Sequence, residues 1–234
     1  MNETSQEKTI TVRVADRIGD LDAAAWDRAA ATGGGGASLN PFLRHAFLSS
    51  LEDSGSVGQA AGWLPQHLVM EDEDGHALGF VPAYLKGHSQ GEYVFDHGWA
   101  DAFERAGGRY YPKLQVSVPF TPATGPRLLA GPNSGSDGAR AALASAVAGY
   151  VVQTKISSAH ATFLQPDDLA AFEEAGFLHR TDQQFHFVNR GYSSFEDFLG
   201  TLASRKRKGL RKERQAALEN GITVERLTGR DLTE

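Results

Sequence analysis

QHLVMEDEDGHALGFVPAYLK, residues 66–86, reads as two strands joined by an acidic turn. Gln66–Glu71 and Ala77–Lys86 are the strands, and EDEDG between them supplies the Asp and Gly residues that favour a tight reversal. Helical patterns lie on either side of this hairpin, which points to an α/β domain.

Upstream, Thr9–Ala15 alternates and is β-branched, as a first strand would be. Asp20 then caps a short helix, LDAAAWDRAAA. Gly33–Gly36 follows that helix and reads as a flexible loop, because a dinucleotide loop needs spaced glycines between a strand and a helix. Asn40-Pro41 opens another helix, with Asn as cap and Pro at the first position. Phe42, Ala46, Phe47 and Leu51 form its apolar stripe.

Downstream, Glu92–His97 reads as a short strand, Asp101–Ala106 as a helical turn and Lys113–Val118 as a strand. The run PFTPATGPRLLAGP is too rich in Pro and Gly to be regular, and a loop of that length inside a domain is often functional. Ala139–Thr154 is an amphipathic helix, His160–Leu164 a strand, Pro166–Ala175 a helix closed by Gly176, and Leu178–Asn189 a strand. Ser193–Asn220 reads as one long helix capped by Ser193 or Ser194, with Glu196 and Asp197 in its first turn and Gly221 as its stop. Ile222–Leu227 would be a strand and Arg230–Glu234 the start of a helix. These elements predict a first domain over residues 1–190, a mixed and mostly antiparallel sheet with helices on both faces. Residues 191–234 then carry a basic helix and the opening of a second unit, so the chain is read as the front part of a longer protein.

The absence of cysteine excludes disulfides, thiolate metal sites and Cys nucleophiles. The N-terminus has no apolar core of a signal peptide, and no apolar run approaches the roughly 18 residues of a membrane span. A soluble, cytoplasmic protein without a membrane span is expected. The formal net charge is −6, yet seven basic residues fall within positions 205–214. So local an asymmetry belongs to one element.

That element is SRKRKGLRKER, 204–214. On a helix, Lys208, Arg211 and Lys212 share a face, and Arg205 adds a further cation. Such a stripe is either a solvated face or a surface for an anionic partner: the phosphates of a coenzyme or of RNA. Interleaved aromatics are missing, which weakens the case for single-stranded nucleic acid. A second constellation is YLKGHSQGEYVFDHGW, 84–99, with Lys86, His88, Glu92, Asp96 and His97. Glu92 or Asp96 could act as a general base once burial tunes its pKa, or the run is a strand and turn with satisfied polar groups. The histidine spacing fits no standard zinc pattern, and no metal is expected. A third pairs RYYPKL, 109–114, with PFTPATGPR, 119–127. Tyr111, Lys113, Thr121 and Arg127 could line a pocket for a carboxylate or phosphate, or be packed loop residues. In QQFHFVN, 183–189, His186 would point to one side of a strand, as a substrate contact or as a satisfied core residue. There is no nucleophile elbow, no HExxH and no P-loop, and RAGGRY at 105–110 puts Tyr110 where a pyrophosphate loop needs a small residue.

In their order, NPFLRHAFLSSLEDSGSVG, GWLPQHLV, the run from Tyr84 to Leu129, QQFHFVNRGYSSFEDFL and SRKRKGLRKER…GITVERLTG resemble the FemAB-like N-acyltransferases over residues 38–234. These are relatives of the peptidoglycan interpeptide-bridge aminoacyl transferases, within the GNAT superfamily. The resemblance implies two tandem GNAT-like folds, the second entered at the basic helix and largely missing from this chain. It implies transfer of an acyl or aminoacyl group from acyl-CoA or aminoacyl-tRNA to a small-molecule amine. By residue type and spacing, a base such as Glu92 or Asp96 would deprotonate the amine, or substrate positioning alone would suffice, and Lys86, Lys113 and Arg127 could orient an anionic acceptor. Arg205, Lys208, Arg211 and Lys212 would hold donor phosphates. The alternative is a non-catalytic module that binds an anionic ligand or RNA through the helix.

Overall fold

The computed structural model describes residues 10–32, 40–131 and 136–231. The chain divides into two compact units, residues 1–182 and 183–234.

The first unit holds two four-stranded sheets. The first is built from β1 (Thr11–Ala15), β3 (His67–Glu71), β4 (Ala77–Val81) and β7 (Leu129–Ala130), in that order and all antiparallel. The second is built from β2 (Trp63–Pro65), β5 (Ala83–Lys86), β6 (Lys113–Val116) and β8 (Ala159–Ala161). Its β6–β8 pair is parallel and the others antiparallel. The helices of this unit are α1 (Ala23–Thr32), α2 (His45–Asp53), α3 (His97–Arg105), α4 (Ser136–Thr154) and α5 (Pro166–Glu174). None of the described helices is long and apolar enough to cross a membrane.

The hairpin at 66–86 forms as expected. Asp72 closes its turn, its Oδ1 accepting from the backbone N–H groups of Asp74 at 3.0 Å and His76 at 2.8 Å. What differs is the second strand. Pro82 interrupts it, and the two halves go to different sheets: β4 to the first, β5 to the second. Proline has no N–H for a ladder, so the switch falls where a continuous strand would lose a bond.

Both faces of the first sheet are covered at its centre, where alternate residues of β3 and β4 point to opposite sides. Val69 and Phe80, in register, pack with Trp26, Leu43 and Leu48 of the α1–α2 side. Leu68, Met70 and Val81 pack with Leu143 and Val147 of α4. Gly79 admits this close approach, since a Cβ there would lie 2.9 Å from the Leu129 carbonyl oxygen and 3.0 Å from Leu143 Cδ1. The second sheet turns Ala83, Leu114 and Val116 into the same α4–α5 core, with Phe172 of α5 beside them.

Asn40 accepts from Phe42 N at 3.0 Å as a cap, but the turn it opens is a short 3₁₀ segment, Pro41–Leu43, before α2. Asp22, not Asp20, caps α1, its Oδ1 accepting from Ala25 N at 2.5 Å. The Gly33–Gly36 loop lies outside the described residues. Glu92–His97 is not a strand: residues 92–96 are irregular and His97 begins α3. Leu178–Asn189 forms no strand either, and Leu178, Phe185, Phe187 and Val188 are exposed.

In the second unit the expected single helix is two, α6 (Phe195–Gly200) and α7 (Ser204–Ala216). Ser194 caps α6 by accepting from Asp197 N at 3.1 Å. Ile222–Leu227 pairs with no strand among the described residues, where the sequence predicts a strand. Of the helix expected at Arg230–Glu234, the last three residues fall outside the described residues.

Candidate active site

The second sheet carries an unusual face. Its β5 and β6 alternate, so that Tyr84, Lys86, Lys113 and Gln115 share the side opposite the apolar core. The register puts Trp63, Lys86 and Lys113 in one cross-strand row, and Tyr84, Gln115 and His160 in the next. A polar face would ordinarily meet water. Here Lys86, Lys113 and Gln115 are fully buried, as is Ser117 just past the strand.

Residues 87–96 cover this face as an irregular strap. Its Ser89, Glu92 and Asp96 point inward and are buried, while Tyr93 and Phe95 face out. Lys113 Nζ gathers the strap, donating to Asp96 Oδ2 at 2.6 Å, Glu92 Oε2 at 2.8 Å and Ser89 Oγ at 2.9 Å. Tyr110 donates its hydroxyl to the same Asp96 Oδ2 at 2.8 Å. The Tyr111 hydroxyl lies 2.7 Å from Ser89 Oγ. Lys86 Nζ donates to the Gln90 carbonyl at 3.0 Å and sits 3.6 Å over the Trp63 ring.

The two carboxylates differ in character. Burial pushes both upward. For Asp96 the hydrogen bonds from Lys113, Ser89 and Tyr110, with the Lys113 charge, outweigh burial and hold it at about 2. For Glu92 burial wins over Lys113, and its pKa is raised. Burial also pulls Lys86 down to about 8 and His160 to about 4, the latter helped by the Lys113 charge. His160 is therefore neutral at pH 7.

Buried polar atoms without a hydrogen-bond partner collect here: Trp63 Nε1, Glu92 Oε1, Asp96 Oδ1, Gln115 Oε1 and Ser117 Oγ. Unpaired buried polar atoms cost free energy and are rare, so their concentration at one place makes this face the candidate site.

Of the residues singled out in the sequence, Lys86, Glu92, Asp96, Tyr111 and Lys113 are brought together. Arg127 is buried, but its guanidinium is spent on backbone carbonyls of the loop and of Thr162, just past β8. Nε donates to the Thr162 carbonyl at 3.1 Å, and the terminal nitrogens donate to the carbonyls of Ala123 at 2.8 Å and Pro126 at 3.1 Å. It pins the Pro-rich loop rather than presenting a free cation. Thr121 donates to the Pro119 carbonyl at 3.0 Å within that loop. His186, in the second unit, is exposed, with Nε2 2.8 Å from Gln184 Oε1. In α7, Arg205, Lys208, Arg211 and Lys212 are all exposed, and Arg211 is paired with Glu196. Arg214 stacks on Phe195 at 4.4 Å, beside an open concavity of about 520 Å³ between α6 and α7.

Sequence reasoning missed Trp63, Ser89, Gln115 and Ser117. One signal was available: Lys113, Gln115 and Ser117 alternate with Leu114, Val116 and Val118. That pattern reads as a solvent-facing strand until the strap is placed over it.

These features define a class: a mixed α/β protein with a buried amine–carboxylate cluster on a covered sheet face. The chain belongs to the FemAB-like family, whose model, described as peptidoglycan biosynthesis/recognition, it matches over residues 17–234. The family's function is of the aminoacyl-transferase kind, and its enzymes use aminoacyl-tRNA donors. No curated protein and no solved structure matches the chain.

Proposed function

We propose that this chain is a GNAT-like N-acyltransferase that moves an aminoacyl group from an aminoacyl-tRNA ester to an amine, with Glu92 as general base. The amine nitrogen attacks the ester carbonyl, the C–N bond forms, and the bond to the tRNA oxygen breaks. Glu92 takes the proton that the amine loses and returns it to the leaving oxygen. The observation that carries this reading is the contrast between the two buried carboxylates. Asp96, tied to Lys113 and Tyr110 and held at about 2, is a poor base. Glu92 has a raised pKa and a buried oxygen, Oε1, with no partner. A base works best with a pKa near the operating pH and a free lone pair aimed at the proton. Asp96 then fixes Lys113, and Lys113 fixes Glu92.

The test is transfer of a labelled amino acid from its tRNA to a peptidoglycan stem-peptide amine. Glu92→Gln should lower turnover by about 10²–10⁴-fold with the fold intact by circular dichroism. Full turnover in Glu92→Gln sinks the base assignment.

The exposed cations of α7 favour a second reading, a binding module for tRNA without transfer. Titration with tRNA at several salt concentrations separates the two. Salt-steep binding that weakens in the Arg205, Lys208 and Lys212 substitutions, with no product formed, supports the module.

A further inference from the structure

The row Trp63–Lys86–Lys113 has opposite unmet needs at its two sides. Lys113 has two carboxylates. Lys86, its neighbour in register about 4.8 Å away across the ladder, has no carboxylate within ion-pair distance among the described residues. An ammonium has three N–H donors, and one carbonyl with one ring face leaves Lys86 short of acceptors. Trp63 Nε1, on the same row, is a buried donor with no acceptor. Beside Lys113 the shortage reverses, because Glu92 Oε1 and Asp96 Oδ1 are buried acceptors with no donor.

Charge narrows the ligand further. Lys86 and Lys113 balance Glu92 and Asp96, and His160 is neutral. A ligand carrying only a positive or only a negative charge would leave the buried set with an uncompensated charge, which is expensive where solvent is excluded. A ligand with one charge of each sign keeps it neutral and meets both shortages.

We propose that the amine acceptor is a compact zwitterion, an amino acid or the amino-acid end of a peptide, with its carboxylate on Lys86 and its amine on Glu92 Oε1 and Asp96 Oδ1. This rests on the reading of Glu92 as the base: the bound ammonium first gives one proton to water, and Glu92 takes the second as the neutral amine attacks. Trp63 Nε1 is the second donor for the carboxylate. The strap closes the row from above, joined to the sheet by the Lys86 and Lys113 contacts and by Phe120 N donating to the Gly91 carbonyl at 3.2 Å. Ligand entry follows its release.

Calorimetric titration with alanine, alanine methyl ester and propionate tests this on the full chain. Alanine should bind saturably, and the ester and propionate at least tenfold more weakly. Lys86→Met should weaken alanine at least tenfold and should not weaken the ester, whose single positive charge then meets the uncompensated carboxylate; should that variant not fold, the ligand series on the unsubstituted chain decides alone. Equal binding of alanine and its ester, or no saturation by alanine, overturns the proposal. The transfer assay tells the two readings apart. If the ester is as good an acceptor as alanine, the zwitterion falls and the transferase stands. If Glu92→Gln transfers normally while the preference for alanine over its ester persists, the base falls and the carboxylate subsite stands.

Discussion

Lys113 Nζ lies 2.6 Å from Asp96 Oδ2, with both side chains excluded from solvent. The pair joins strand β6 to the end of the strap just before α3, and it is shared: the same ammonium holds Glu92 and the same carboxylate oxygen accepts from Tyr110. A buried ion pair is held together mainly by the penalty for breaking it.

Lys113→Met should therefore destabilise the chain by about 3–5 kcal/mol, because two carboxylates lose their cation at once. Urea unfolding measures this. The triple variant Lys113→Met with Glu92→Gln and Asp96→Asn should recover part of the loss. Independent, additive losses would contradict a shared cluster.

Acid should expose Asp96. Its pKa is about 2 folded against an ordinary 3.8, so the folded chain binds this proton less tightly than the unfolded chain. The stability it contributes is present above pH 3.8 and is lost as pH falls towards 2. Melting temperature against pH should fall less steeply in Asp96→Asn across that window. Superimposable acid limbs would count against the Lys113–Asp96 geometry.

Lys86 should act in the opposite pH range. Its pKa is about 8 folded against 10.5, so between those values the unfolded chain binds more protons. Stability then rises with pH through that window. The unsubstituted chain should gain on Lys86→Met between pH 8 and 10.5, read as the difference in their melting temperatures. A constant difference would mean that Lys86 is not held as a strained buried cation.

Arg127→Met removes three side-chain bonds to backbone carbonyls. A loss of about 3 kcal/mol or more is expected, since buried carbonyls are left unmet. Hydrogen exchange should quicken in residues 119–128 before it does in α4. An Arg127 that instead held substrate would show a raised KM with stability unchanged.

Much of the local structure was legible because its causes are local. Turn residues at 71–75, the cap at Asn40, Pro166 at the start of α5 and Gly176 after it, with φ +89°, each act within a few positions. The misreadings share another cause. Leu178–Asn189 and Ile222–Leu227 look like strands, but a strand exists only with a ladder partner, and none forms there. Residues 92–96 are irregular because Glu92 and Asp96 are drawn to Lys113, twenty-one and seventeen residues on.

The sequence by itself determined the residue types of the site, the hairpin at 66–86, the family and the basic character of 204–214. Only the tertiary structure decided which charges meet. It divided the chain at Pro82 between two sheets, spent Arg127 on backbone, and placed a polar strand face under a strap instead of in water. The physical reason is that pairing and burial are set by contacts between distant segments. Lys113, offered by the sequence as a pocket residue or a packed loop residue, becomes under the strap a buried charge held by two carboxylates.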